Sequence, residues 1–262
     1  MILHRRFLLA ASAAGLLPLR ASAAAPLRVG VMDGEGEALM EVVAEQAKAR
    51  GLALRVIAFS DYQLPNEALN HGDLDANAFQ HQPYLDNQVK TRGYRIVPVA
   101  YTIVAPIGLY ARKIKSVAAL PGGARIGIPN DPSNGGRGLN LLAAQGVLTL
   151  RDGAGITPTV LDITANPKAV KIVELDAGII ARSLDDLDAA VVNTDWALKS
   201  GLGLDLQIAR EPVDGNPYRN VIAVQSGHEN DPRVLTLVEA YHSDPVRQYI
   251  LTHYQGRQLP AW

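Results

Sequence analysis

Cysteine is absent from the 262 residues. That excludes a disulfide framework, a thiolate zinc site, a cysteine nucleophile and any membrane anchor built on an acylated cysteine. Neither sign of charge is in excess. The formal net charge is -1, so no global field draws the chain to nucleic acid or anionic lipid. Aromatic residues make up only 5%, which gives weight to any place where they gather. Beyond the N-terminus, no stretch reaches the roughly 20 uncharged apolar residues that a membrane-spanning helix needs. Catalytic signatures are missing as well. There is no GxSxG elbow and no HExxH, and none of the six histidines has an evident Ser or Asp partner. These absences argue for a protein that is not an enzyme and carries no cofactor. What is present, 48% hydrophobic and 19% charged residues, is an ordinary globular composition. The length suffices for one large domain or two medium ones.

The first residues read as an export signal rather than part of the fold. His4-Arg5-Arg6 gives a positive start, residues 7–17 are apolar, and Ala21-Ser22-Ala23 supplies the small residues that signal peptidase prefers. The expected signal covers 1–23. Arg5-Arg6 followed by Phe7-Leu8 resembles a twin-arginine signal, which leaves two export routes open.

Downstream, residues 26–34 read as a strand and turn. Residues 35–50 carry apolar side chains at helical spacing (Leu39, Val42, Val43, Ala47), and 52–59 is the next strand. This is β-α-β, the unit of a mostly parallel sheet. A short helix from about Glu67, a strand over 73–79 and a helix over 84–92 follow. Residues 96–111 form a long extended stretch interrupted by Pro98 and Pro106. The pattern then runs again, with strands over 124–129, 158–163, 171–175, 189–194 and 220–225. Helices are expected over 117–120, 137–145, 181–187 and, at the end, 231–249. Two rounds joined by extended segments predict two α/β lobes, the second inserted in the first. The expected boundaries are 24–107 and 227–262 for lobe 1 and 108–226 for lobe 2. A single doubly wound domain is the competing arrangement. Between two lobes lies a cleft, the usual seat of a ligand.

Three segments carry candidate chemistry. Residues 59–86 bring Tyr62, Phe79, His81 and Tyr84 together around one strand end, and alternate strand residues share a face. Rings and an imidazole suit an apolar, polarizable side chain such as a thioether. Residues 126–146 run from a strand through a Pro/Asn/Asp/Ser/Gly loop into a helix expected to start near Arg137. Helix-terminal amides and a guanidinium fork together suit an anion, and the lack of a P-loop Lys favours a carboxylate over a phosphate. Asn193 ends one apolar strand and Asn220 starts another. Each amide can accept from an ammonium and donate to a carboxylate. His71, Asp73, Asp75 and His81 are close enough in sequence to raise a metal site as an alternative.

Taken together, DYQLPNEALNHGDLDANAFQHQPYLD (61–86), IPNDPSNGGRGLNLL (128–142) and NPYRNVIAV (216–224) closely resemble the methionine-binding proteins of the NlpA lipoprotein family, the extracytoplasmic binding components of ATP-driven importers. The likeness runs over nearly the whole chain after residue 23, including RSLDDLDAAVVNT (182–194) and the closing Trp262. It implies a two-lobed periplasmic binding protein fold of type II, each lobe a mostly parallel sheet flanked by helices. It implies Arg137 on the ligand carboxylate, Asn193 and Asn220 near the α-amino and carboxylate groups, and Tyr62, Phe79, His81 and Tyr84 around the thioether. It further implies a monomer that hands L-methionine, or a close amino-acid analogue, to a membrane permease. Two departures stand out. Relatives usually carry an acylated Cys after the signal, so this cysteine-free chain is expected to be a free periplasmic protein. Asp195-Trp196 also stands where relatives often have an uncharged residue and a Tyr, which bears on ligand preference.

Overall fold

The computed structural model describes residues 25–262, so the expected signal lies outside the described residues. The chain opens β1 (Leu27–Met32), α1 (Glu35–Ala49), β2 (Leu54–Phe59), α2 (Leu64–His71), β3 (Ala76–Asn77), α3 (Gln82–Arg92) and β4 (Ile96–Val104). It crosses to a second unit with β5 (Gly108–Tyr110), β6 (Arg125–Pro129), α4 (Pro132–Ala144), β7 (Thr149–Leu150), β8 (Ile163–Ala165) and β9 (Lys171–Leu175). That unit continues through α5 (Ala177–Ile180), β10 (Ala189–Val192), α6 (Thr194–Lys199) and β11 (Gln207–Arg210). The chain then returns as β12 (Arg219–Gln225), α7 (Pro232–Tyr241), α8 (Asp244–His253) and β13 (Leu259–Pro260).

The strands form two main sheets, ordered β13-β4-β12-β3-β1-β2 and β11-β5-β10-β6-β9. Each is parallel on the side built by β-α-β units (β3-β1-β2 and β10-β6-β9). Each is antiparallel where β4, β12 and β13, or β5 and β11, join it. The mostly parallel expectation therefore holds for one side of each sheet. In the first sheet the chain leaves along β4 and comes back along β12, so these neighbours point in opposite directions. Since β12 lies in the first sheet, the return crossing falls before Arg219 rather than at the expected 226.

Alternation and helical spacing meet in the first core. Leu27, Val29 and Val31 of β1 are fully buried against Leu39, Met40, Val43 and Ala47 of α1, which recur at the spacing of one helix face. Each of the Leu, Val and Met side chains contributes about 1.5–3 kcal/mol by leaving water. A second core packs α4 (Leu139, Leu142) on Ile126 and Ile128 of β6. A third apolar cluster spans both units, joining Met32, Phe79 and Tyr84 of the first to Tyr110, Ile180 and Trp196 of the second.

Local chemistry overrides three of the expected elements. The strand expected at 158–163 is replaced by a 3-10 turn over Val160–Asp162, because Asp162 accepts from the Thr159 N–H at 2.8 Å and from its hydroxyl at 3.1 Å. This leaves Leu161 in water. The helix expected at 181–187 is displaced to α5, capped by Asp176 on the Gly178 N–H, with a 3-10 turn over Arg182–Asp185 behind it. And α4 begins at Pro132, not near Arg137. Asp131 caps it and proline occupies its first turn, where a missing N–H costs nothing.

Candidate functional site

The strand-to-helix corner at 76–84 fixes the aromatic wall. His81 is the cap of α3, its Nδ1 accepting from the Tyr84 N–H at 3.1 Å. Behind it, the buried amides of Asn66, Asn77 and Gln80 bond one another at 2.6–3.1 Å. Every such bond inside a dry core rigidifies the corner. Tyr62, Phe79 and Tyr84 pack edge to face or tilted, with centroids 6.0–6.2 Å apart, and Tyr84 Oη donates to the Tyr62 carbonyl at 3.0 Å.

The facing wall comes from the second unit. Arg137 sits in the second turn of α4, well past the helix start, and Asp131 accepts from the N–H groups of Asn134 and Gly135. The helix start and the guanidinium therefore do not coincide as expected. That guanidinium is itself partly engaged. Its Nε lies 2.9 Å from Glu211 Oε1, and its Nη2 lies 2.6 Å from Glu211 Oε2 and 2.9 Å from the Ala105 carbonyl. Tyr218 covers it, with Cζ 4.2 Å from the ring centroid. Among the described residues Nη1 has no hydrogen-bond partner, so Arg137 presents one edge to a ligand rather than a free two-pronged fork.

Asn134 links the two walls. Its Nδ2 donates to Asp131 Oδ2 at 2.9 Å, and a carboxylate only accepts, so Asn134 Oδ1 must face the other way. There it accepts from Asn193 Nδ2 at 2.8 Å and meets His81 Nε2 at 3.0 Å. With Nδ1 accepting, His81 is a neutral imidazole that carries its proton on Nε2. Burial, reinforced by the Arg137 charge, pushes its pKa down to about 3. Asn193 Oδ1 is left buried with no partner, an acceptor waiting for a donor. Asn220 Nδ2 donates one of its two N–H groups to the Phe79 carbonyl at 3.3 Å.

All seven residues singled out in the sequence, Tyr62, Phe79, His81, Tyr84, Arg137, Asn193 and Asn220, line one hollow between the two units. Asn134 and Asp195 line it too. The walls are drawn together across the cleft by the His81–Asn134 bond, by Tyr62 Oη at 2.7 Å from both Asp195 oxygens, and by Lys199 Nζ at 2.5 Å from Asp33. Burial, then the charge of Asp195, pushes the Tyr62 hydroxyl far above the ordinary phenol range. Sequence reading missed Asn134, Glu211 and Tyr218. Asn134 lies in the Asn/Asp/Ser/Gly loop, where an amide reads as an ordinary turn residue, and no local signal marks Glu211, which is 74 positions from Arg137. The four candidate metal ligands do not converge. Asp75 is held by Arg28 at 2.9 Å, His71 and Asp73 are exposed, and His81 serves the cleft. No group of three possible ligands occurs among the described residues.

Two α/β lobes with two crossings, enclosing one hollow that has a guanidinium at one end and rings at the other, define a substrate-binding protein of the periplasmic type. The chain belongs to the NlpA lipoprotein family, whose sequence pattern matches residues 27–262. It is 44% identical over 239 residues to the D-methionine-binding lipoprotein MetQ of Escherichia coli K12, covering 90% of this chain and 88% of the relative. A nutrient-binding protein from Burkholderia cenocepacia, solved bound to methionine, is 47% identical with a TM-score of 0.88. That likeness covers 90% of this chain and all of the solved one. The crystal structure of the methionine-binding protein MetQ superposes with a TM-score of 0.87 at 44% identity, over 90% of this chain and 98% of that one.

Proposed function

We propose that this protein captures L-methionine, or a close amino-acid analogue, in the interlobe hollow and delivers it to the permease of an ATP-driven importer, without any chemical step. The observation that carries the reading is the pairing, in one hollow, of Arg137 and of Asn193, whose Oδ1 has no partner, with the wall formed by Tyr62, Phe79 and Tyr84. An amino acid is a zwitterion, and burying its charges is costly unless each finds a partner. Arg137 Nη1 serves the carboxylate, Asn193 Oδ1 the ammonium, and the rings the thioether, which gains from sulfur–aromatic contact. Neutral His81 adds no charge to compete for the carboxylate.

Mass spectrometry of small molecules released from freshly purified, denatured protein tests the reading. Methionine or an analogue is the expected species, and titration calorimetry with both enantiomers then ranks L against D. An absence of binding to any amino acid would overturn it. The protein acts outside the cytoplasm in this reading. No helix among the described residues is long and apolar enough to cross a membrane. We infer an untethered form from the cysteine-free sequence. Recovery of the mature protein in the membrane fraction, resistant to salt and alkaline washing, would refute the inference.

A further inference from the structure

Asp195 is surplus to the site just described. It lines the hollow, at the aromatic end, where Tyr62 Oη lies 2.7 Å from each of its carboxylate oxygens. The other acids along this cleft have cations of their own or are turned to other work. Glu211 holds Arg137, Asp33 holds Lys199, and Glu35 lies 3.1 Å from His253. Among the described residues no Lys, Arg or His forms an ion pair with Asp195. The nearest lysine in sequence, Lys199, sits over the Trp196 ring at 4.7 Å and is committed to Asp33. The ammonium of a bound amino acid already has an acceptor in Asn193 Oδ1. A neutral thioether therefore leaves in the tail pocket a carboxylate that is hydrogen-bonded by the Tyr62 hydroxyl and by backbone N–H groups in the first turn of α6 but has no ion-pair partner, and a cationic tail would supply one.

From this arrangement we infer that the hollow prefers a methionine-like amino acid whose tail is an alkylated cation, a sulfonium, over methionine itself. This rests on the amino-acid reading above and names the tail chemistry within it. The rings decide between cation types. Tyr62, Phe79 and Tyr84 line the hollow with π faces and edges, Trp196 backs Tyr62 at 5.8 Å, and Asp195 supplies one carboxylate. A primary ammonium needs three hydrogen-bond acceptors to replace its water. An alkylated sulfonium has no N–H or O–H to satisfy and is held by ring faces and a counter-charge, as quaternary ammonium ligands are in aromatic cages. Burial raises the pKa of this carboxyl above the ordinary range, against the opposing pull of the Tyr62 hydroxyl, the backbone N–H groups and the charge of Arg137.

Titration calorimetry at pH 7.5 tests the inference with L-methionine, S-methyl-L-methionine and L-lysine on the intact mature protein. The sulfonium is expected to bind about tenfold more tightly than methionine, in keeping with a desolvated cation–ring contact. Asp195→Asn, which keeps the shape, is expected to abolish that preference, bringing the two affinities within about twofold of each other whatever it does to their common level; a tenfold ratio that survives the substitution overturns the inference. Equal or tighter binding of methionine by the unaltered protein overturns the inference, and that comparison does not depend on any variant folding. Tighter lysine binding overturns it too. So does an Asp195→Asn variant that weakens methionine and the sulfonium by the same factor, because Asp195 would then serve the α-ammonium. If no amino acid binds, the amino-acid reading falls with it; if methionine binds without a sulfonium preference, only this inference falls.

Discussion

Arg137 and Glu211 form a buried pair, Nη2 to Oε2 at 2.6 Å, with the arginine side chain 2% and the glutamate 10% exposed. Glu211 also accepts from the Ile107 N–H at 3.0 Å and from Asn216 Nδ2 at 3.2 Å. The pair fixes the guanidinium in place, and under the proposed reading that preorganisation lowers the entropic cost of binding a carboxylate.

Arg137→Ala is expected to act twice. Affinity for the amino acid falls by about 2–4 kcal/mol, in line with loss of a buried charge-assisted contact. Stability falls by about 3–5 kcal/mol because Glu211 is left buried without its counter-charge. The double variant Arg137→Ala, Glu211→Gln regains part of the stability but none of the binding. Calorimetry and chemical denaturation read the two effects separately.

Asn134→Ala is expected to weaken binding by about 1–2 kcal/mol, since Asn193 and His81 both lose the oxygen that orients them and one hydrogen bond each. The fold should survive. Unchanged affinity would mean that Asn193 is oriented by something other than Asn134.

His81 makes stability depend on acid. Its folded-state pKa of about 3 lies below the ordinary 6.5, so between those values the unfolded chain binds a proton that the folded one refuses. Stability is therefore full above pH 6.5 and is lost as pH falls towards 3, at about 1.4 kcal/mol per pH unit. His81→Gln is expected to reduce the stability lost between pH 7 and pH 5 by about 2 kcal/mol relative to the unaltered protein. Parallel urea titrations at the two pH values check this.

Gly136 lies beside the 156–157 loop. A Cβ there would stand 2.6 Å from Thr157 Cα and 2.9 Å from its carbonyl carbon, both backbone atoms that cannot swing aside. Gly136→Ala is expected to cost about 1–3 kcal/mol through overpacking, despite alanine's better helix propensity, as a thermal melt would show.

Much of this was legible beforehand because it is encoded locally. The alternation of β1 and the face of α1 set the first core. The clustering of Tyr62, Phe79, His81 and Tyr84 in an aromatic-poor chain marked one wall of the hollow. The start of α4 was misplaced by five residues: Asp131-Pro132 is a cap followed by a first-turn proline, but Gly135-Gly136 reads as a loop until Thr157 and Pro129 are packed against it. What sequence reading could not reach is long-range. Glu211 meets Arg137, and Asp195 meets Tyr62 from 133 positions away, and nothing in the neighbours of either residue announces its partner.

The Ala105 carbonyl that receives Arg137 Nη2 belongs to the short link between β4 and β5, one of the two passages the backbone makes between lobes. Under the proposed reading, the side chain that receives the ligand carboxylate is thus tied to the backbone that joins the lobes, so a change in the geometry of that link would be transmitted to the guanidinium through one hydrogen bond.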